Sequence, residues 1–171
     1  MRMRTIAAAL VMLAAVGLPA AAQAHVTLNP RAVPAGGYQV LSVRVPNEDE
    51  KASTLKVTVF LPHGFFSVLY EAQPGWSVRT STRTLPTPVQ TEDGPVSTEV
   101  SAITWTASRK GKAKIAPGQF KELHISVKVP GNAGETLTFP ALQTYSNGKV
   151  VHWTGAPGTE TPAPQVALTA S

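Results

Sequence analysis

Apolar and polar residues alternate along most of the chain after its first 24 residues. In residues 38–45 this two-residue period would turn Val43 and Val45 toward a core and Arg44 toward solvent, and Pro46 would end the strand. The same alternation predicts strands over residues 55–61, 76–81, 100–107, 120–129, 136–145, 150–153 and 166–169. No segment of useful length has a helical period, and no internal repeat is evident.

Turn residues separate the predicted strands and define how they connect. Residues 136–145 and 150–153 flank the sequence Ser146-Asn147-Gly148, which is typical of a hairpin because Asn-Gly tolerates positive φ angles. Seven or more short strands with turns between them predict an all-β fold, a single antiparallel β-sandwich of the immunoglobulin or cupredoxin type. The proline-rich residues 157–164 leave open whether the tail is ordered or disordered.

The first 24 residues have the organisation of an export signal. Arg2 and Arg4 supply the positive start, residues 6–18 supply an apolar centre, and Ala22 and Ala24 fit the small-residue cleavage positions. The apolar centre is shorter than the roughly 20 residues that a membrane span requires, and no second run of this kind follows. We therefore predict a signal peptide and a mature chain without a membrane span.

Cleavage after Ala24 would leave residues 25–171 as one domain in the periplasm or outside the cell, with His25 as its first residue. Cleavage after Ala22 is the alternative. It would begin the chain Gln23-Ala24-His25, in which a histidine in third place binds Cu(II) through the amine, backbone amides and imidazole. Only a chain that begins at His25 offers its own α-amine and ring nitrogen as one chelating pair.

Composition restricts the chemistry further. The net charge of +5 comes from scattered lysines and arginines without a basic aromatic run, so we expect no nucleic-acid partner. The chain has no cysteine, and all three methionines, Met1, Met3 and Met12, lie in the predicted signal peptide. A disulfide scaffold, a thiol enzyme and a blue-copper centre are excluded, and any bound metal must have nitrogen and oxygen ligands.

His25 is the candidate metal ligand. Its neutral ring and its α-amine, whose reference pKa is about 7.7 to 8.0, can both be freed by a strongly binding divalent ion. Nitrogen-rich sites favour Cu(II) by the Irving–Williams order. Carboxylate oxygen is available in the acidic turn at residues 47–50. An incidental histidine and a solvated acidic turn are the alternatives at this point.

The remaining histidines are weaker candidates. His152 precedes Trp153 in a predicted strand, and strand neighbours point to opposite faces, so both cannot easily face one metal. His124 alternates with inward residues and should face solvent, and His63 lies in a turn. Trp153 itself has an ordinary alternative, because a tryptophan in a strand more often fills the core.

Several separated motifs resemble the YcnI-like family of exported copper-binding proteins. The resemblance covers nearly the whole mature chain, and the motifs occur in the family's order. They are His25-Val26-Thr27-Leu28-Asn29-Pro30, Val45-Pro46-Asn47-Glu48, Pro74-Gly75-Trp76, Pro117-Gly118-Gln119-Phe120, Phe139-Pro140-Ala141-Leu142-Gln143-Thr144-Tyr145, Val150-Val151-His152-Trp153-Thr154-Gly155 and Pro162-Ala163-Pro164.

The resemblance implies a β-sandwich that binds one Cu(II) through a single-histidine brace. It assigns the brace to the α-amine and ring of His25, carboxylate oxygen to Glu48 and a position beside the metal to Trp153. The implied task is copper acquisition, sequestration or delivery, with a membrane copper transporter or another periplasmic copper carrier as a partner. We expect no enzyme activity.

Two alternatives remain. One is an oxidative copper enzyme resembling polysaccharide monooxygenases, which need a second histidine. The other is a metal-free interaction sandwich, because this fold serves many purposes.

Overall fold

The computed structural model describes residues 25–108 and 112–171, so the predicted signal peptide lies outside the described residues. Strands form all the regular structure of these two ranges. The strands are β1 (Thr27–Asn29), β2 (Ala32–Pro34), β3 (Tyr38–Pro46), β4 (Thr54–Phe60), β5 (Val68–Tyr70), β6 (Trp76–Thr91), β7 (Gly94–Ala107), β8 (Phe120–Lys128), β9 (Thr136–Thr138), β10 (Ala141–Tyr145), β11 (Val150–Trp153) and β12 (Gln165–Thr169).

Across the described ranges, no helix has the length and apolar character needed to cross a membrane.

Two antiparallel sheets form the body of the sandwich. One has the strand order β1-β3-β8-β5, and the other has the order β11-β10-β4-β7-β6. A third, smaller sheet has the order β2-β12-β9 and contributes residues to the same core. Its β2 and β12 are parallel, with Ala32 opposite Ala167, while its β9 and β12 are antiparallel. The predicted all-β, antiparallel sandwich is confirmed, with this one short parallel pairing added.

The inward faces follow the alternation of the sequence. Val43 and Val45 of β3 are fully buried, and Arg44 between them is exposed. The inward residues of β8 are equally buried, and Trp105 of β7 is 0% exposed. Because side chains on a strand alternate between its faces, one apolar stripe per strand is sufficient to fill the space between the sheets.

The prediction of one strand over residues 136–145 is wrong. The segment divides at Phe139-Pro140 into β9, which pairs with β12, and β10, which pairs with β4 and β11. Pro140 has no amide hydrogen for a strand ladder, and the Phe139 amide donates to the Pro164 carbonyl at 2.8 Å. This division lets one segment serve two sheets.

Strand β6 continues to Thr91, ten residues beyond the predicted end at Ser81, and forms a long hairpin with β7. The pairing register shifts between Thr84 and Val89, where Pro86 and Pro88 interrupt the ladder. Polar, exposed residues make up most of this extension, which is why alternation did not identify it.

The proline-rich segment is ordered. The Gly155 amide donates to Thr161 O and the Ala163 amide to Gly155 O, both at 2.9 Å. Ala163 and Pro164 are buried, and they lead directly into β12. Of the two alternatives for the tail, the structure shows the ordered one for residues 157–164.

A buried carboxylate joins β7 to the turn after β4. The Glu99 side chain is 1% exposed and accepts hydrogen bonds from Arg83 Nε and His63 Nδ1, both at 2.5 Å, and from the Gly64 amide at 2.6 Å. Burial acts to raise the pKa of Glu99, but the hydrogen bonds from Gly64, Arg83 and His63 outweigh it and hold the pKa below its ordinary value of 4.5.

We predict that Glu99→Gln lowers the free energy of unfolding by about 3 kcal/mol at neutral pH, because the substitution removes the charge that these donors surround. Since the folded-state pKa of Glu99 lies below the unfolded one, its stabilising effect is present above about pH 4.5 and is lost as the pH falls through the folded value. Urea unfolding from about pH 7 down to about pH 3 should therefore show the two proteins converging in stability.

Glu160→Gln is the matched control, since Glu160 is exposed. An unchanged unfolding free energy in Glu99→Gln would contradict the role assigned to the carboxylate. So would an equal loss of stability on acidification in the wild type and in Glu99→Gln.

Candidate metal centre

His25 is held at one end of the sandwich by the strand that follows it. Val26 and Leu28 insert into the core, each 2% exposed, and β1 pairs with β3 so that Thr27 lies opposite Arg44. The pairing fixes the backbone immediately after His25, whose side chain remains partly exposed. The ring is therefore positioned but open to a ligand.

Trp153 packs against His25. The two ring centroids are 5.9 Å apart, and the ring planes are inclined by 55°. Trp153 ends β11, lies opposite Ala141 of β10 and is 4% exposed. His152, the preceding residue, is exposed on the other face of the strand, as the alternation predicts.

The buried amide of Gln143 fixes the indole and connects it to β3. Its Oε1 accepts a hydrogen bond from Trp153 Nε1 at 3.0 Å, and its Nε2 donates to Pro46 O at 2.7 Å and to Thr54 Oγ1 at 2.8 Å. Gln143 is 0% exposed. One side chain therefore joins the last residue of β11, the start of β4 and the end of β3.

Asn47, next to Pro46, fixes the turn that carries Glu48. Its Nδ2 donates to Ala52 O at 2.9 Å and to Ile115 O at 2.8 Å, and its backbone amide donates to Gln119 O at 2.8 Å. Asn47 is 2% exposed, whereas Glu48 is exposed. A rigid backbone thus precedes an accessible carboxylate.

Sequence reasoning did not assign roles to Gln143 or Asn47, although both lie within the motifs of the family resemblance. In the sequence, such residues can be identified as polar side chains at positions of a strand, or of a strand end, that the alternation places inward. Such a residue must have hydrogen-bond partners inside the protein, because burying an unpaired amide is costly.

His25 and Glu48 line the same cleft, the His25 cleft, which has a volume of about 600 Å³. It lies at the end of the sheet formed by β1, β3 and β8. The described residues that line it are His25, Thr27, Arg31, Arg44, Pro46, Asn47, Glu48, Gly118, Gln119 and Phe120. His25 and Glu48 line this cleft, and Trp153 contacts the ring of His25. The structure thus brings together the three residues that the resemblance assigns to the site.

Glu48 and His25 are near enough to interact electrostatically. Although the Glu48 residue is exposed, desolvation of its carboxyl raises the pKa, and the electrostatic interaction with His25 lowers it by a smaller amount. A cation bound between the two residues would favour the ionised carboxylate in the same way, without requiring a proton on the ring.

The other histidines have partners elsewhere. His63 Nδ1 donates a hydrogen bond to the buried Glu99 carboxylate. His124 Nδ1 contacts Glu71, and its Nε2 lies 3.6 Å from Glu122 Oε2. Of the histidines in the described residues, His25 is the one that lines the His25 cleft.

The donor set is small. Within residues 25–108 and 112–171, no group of three or more His, Cys, Asp or Glu side chains is arranged to hold a metal ion. His25 and Glu48 supply one nitrogen and one carboxylate from side chains. These residues fit a metal that takes further donors from the backbone or from outside the protein. The α-amine that the predicted cleavage before His25 would create is a donor of the first kind.

The fold and site define a class: an immunoglobulin-like β-sandwich with a small nitrogen-and-oxygen donor site at one end, beside an indole. A family model described as Domain of unknown function (DUF1775) matches residues 25–168. The chain belongs to this family, and the resemblance to YcnI-like proteins is confirmed.

Two similar proteins support the family and the fold. The chain is 33% identical over 143 residues, 84% of its length, to the copper-binding protein CutI of Bacillus subtilis (strain 168), and it spans 61% of the length of that relative. It also matches the crystal structure of an uncharacterized protein from Nocardia farcinica, which has an immunoglobulin-like fold. The TM-score is 0.67 at 36% identity, and the match covers 85% of this chain and 98% of the other.

We predict that Gln143→Leu destabilises the fold by about 2 to 4 kcal/mol, because it leaves the Trp153 indole N–H and the Pro46 carbonyl buried without their partner. Trp153 should also become more mobile. Chemical denaturation and tryptophan fluorescence measure the two effects, and Gln90→Leu, an exposed glutamine near the tip of the β6–β7 hairpin, is the control. Equal stability of the two variants would show that the Gln143 amide does not hold this end together.

Proposed function

We propose that the processed chain is an exported, non-catalytic protein that binds one Cu(II) through the α-amine and ring of His25 and the carboxylate of Glu48. The observation that carries the proposal is the meeting of His25 and Glu48 in one cleft, with Trp153 in ring contact with His25. In the sequence, Glu48 follows His25 by 23 positions, and Trp153 follows Glu48 by 105. Their convergence around a partly exposed histidine is what a metal site requires.

Copper is favoured by the ligand chemistry. The chain from His25 onward contains no sulfur, so the ligands are nitrogen and oxygen. Cu(II) accepts such a set in tetragonal geometry and binds nitrogen ligands more strongly than its first-row neighbours do. The relative CutI is named a copper-binding protein, which supports extending copper binding to this chain.

The α-amine is the essential third donor. Two protein side chains alone form a weak site, whereas an amine and ring from the same residue chelate one ion. Because the amine is free only after cleavage before His25, the unprocessed precursor would lack the brace. Export and copper binding are thereby coupled, and the place of action is the periplasm or the outside of the cell.

Trp153 would stand beside the metal and need not be a ligand. Its indole N–H already donates to Gln143 Oε1, and the ring contacts the ring of His25. An indole in this position limits the orientations of the imidazole and keeps water from one side of it. Its electron-rich face also favours a nearby cation.

The proposal of a carrier without enzyme activity rests on the histidine count at the cleft. An oxidative copper enzyme of the monooxygenase type needs a second histidine, but His152 is exposed on the opposite face from Trp153, and His63 and His124 contact carboxylates elsewhere. A single-histidine site suits sequestration or delivery of copper to a membrane copper transporter or another periplasmic carrier.

We predict that one additional residue ahead of His25 lowers Cu(II) affinity more than about 100-fold, because it converts the chelating amine into an amide. The loss should exceed the 10- to 100-fold typical of changes around an intact ligand set. Competition titration against a chromogenic chelator compares chains that begin at Ala24 and at His25. Equal affinities would refute the brace, and an absence of tight copper binding in both would favour a metal-free interaction domain.

We predict that Glu48→Gln weakens Cu(II) binding by about 10- to 100-fold, since an amide oxygen is a poorer ligand than a carboxylate. Glu50→Gln is the matched control because Glu50 is exposed in the same turn. Asp49 is a less suitable control, as its Oδ1 accepts hydrogen bonds from the Lys51 and Ala52 amides and shapes the turn. Similar losses in Glu48→Gln and Glu50→Gln would mean that the carboxylate ligand is assigned wrongly.

A further inference from the structure

The His25 cleft carries positive charge that the proposed copper ligands do not use. Arg31 and Arg44 line it together with His25, and Glu48 is the one acidic residue among its described lining residues. In the described part of the chain, no carboxylate lies within ion-pair distance of either guanidinium. The arginines thus form a cationic wall beside the donors.

Arg44 is held in place by an aromatic ring. Its guanidinium carbon lies 4.2 Å from the centre of the Phe120 ring, which is itself 55% exposed at the cleft. Stacking of this kind orients the planar guanidinium without occupying its N–H donors. Arg31 lines both the His25 cleft and a second, smaller cleft of about 240 Å³ that His25 also lines.

The remaining polar groups of the cleft are biased toward donors. Gln119 Oε1 accepts from the Ala116 amide at 3.2 Å, which commits its amide oxygen and leaves its amide nitrogen as the second hydrogen-bonding group. Asn47 uses its side chain to fix the turn. Arg31, Arg44 and Gln119 therefore line a cleft whose volume of about 600 Å³ is much larger than one metal ion.

From this juxtaposition we infer that the His25 cleft binds a carboxylate anion together with copper, with Arg31 and Arg44 as its receptors. The inference rests on the proposed function. A Cu(II) ion with two nitrogens and one carboxylate from the protein accepts another oxygen ligand, and the charges of the ion and two arginines exceed that of Glu48. A planar carboxylate matches the guanidinium fork and ligates copper with its oxygen.

The carboxylate has two possible sources with the same chemistry: a small organic acid that accompanies copper, and an acidic side chain of a protein that exchanges copper with this one. In either case the arginines would hold the carboxylate next to the copper ion while the ion is transferred to or from this protein. The cleft would then select copper complexes that bear carboxylates.

The test uses the mature chain that begins at His25, loaded with one equivalent of Cu(II) in a buffer that does not bind copper. Malonate and the blocked dipeptide acetyl-Asp-Asp-amide are titrated separately, followed by calorimetry and by the visible absorption of Cu(II). Equilibrium dialysis checks that copper stays on the protein. We expect saturable binding of at least one of the two compounds, and the tighter one identifies the source of the carboxylate.

The double variant Arg31→Gln, Arg44→Gln should weaken this binding at least about tenfold, as expected for loss of charge-assisted hydrogen bonds. Its Cu(II) affinity without the anion should stay within about threefold of the wild type, since neither arginine is a ligand. Arg79→Gln is the control because Arg79 is exposed on β6 and does not line the cleft.

Three results overturn the inference: no saturable binding of either compound, binding that the double variant retains, and an equal loss in Arg79→Gln. A chain that binds no copper at all would overturn the proposed function as well. Copper binding without carboxylate binding would overturn this inference alone.

Discussion

The buried side-chain amide of Gln143 holds together the end of the sandwich that carries the candidate metal centre. Its three hydrogen bonds reach the Pro46 carbonyl, the Thr54 hydroxyl and the Trp153 indole, which belong to β3, β4 and β11. Each of these groups is costly to bury without a partner, so the arrangement is specific as well as stabilising. Trp153 is thereby fixed against His25, and the chain is fixed immediately before the turn that carries Glu48.

A site of this kind relies on a rigid surround because its own ligands are few. One imidazole and one carboxylate are the proposed side-chain ligands, and the proposed third donor would exist only after removal of the predicted signal peptide. The short strand β1 fixes the backbone beyond His25, and Asn47 fixes the backbone before Glu48. Preorganised ligands bind a metal without a large loss of conformational freedom. The open cleft beside them leaves room for the ligand exchange that the proposed copper carrier would perform.

The sequence predicted the strands with one apolar face, because a two-residue period reports burial directly. Residues 38–45 lie in β3 and residues 120–128 form β8, both with the expected inward faces. The division at Pro140 was missed because alternation does not reveal which sheet a segment joins. The extension of β6 was missed because its residues are mostly polar and exposed. His25, Glu48 and Trp153 were associated through the family resemblance, as no local pattern brings them together. Gln143 was missed because its partners are distant backbone and side-chain groups.

The central claim concerns which atoms hold copper, and a crystal structure of the chain beginning at His25 with Cu(II) bound tests it most directly. We expect one copper ion coordinated by the α-amine and Nδ1 of His25 and by a Glu48 oxygen, with the Trp153 ring alongside. Copper bound by His63, His124 or His152, or by the His25 ring without its amine, would contradict the brace.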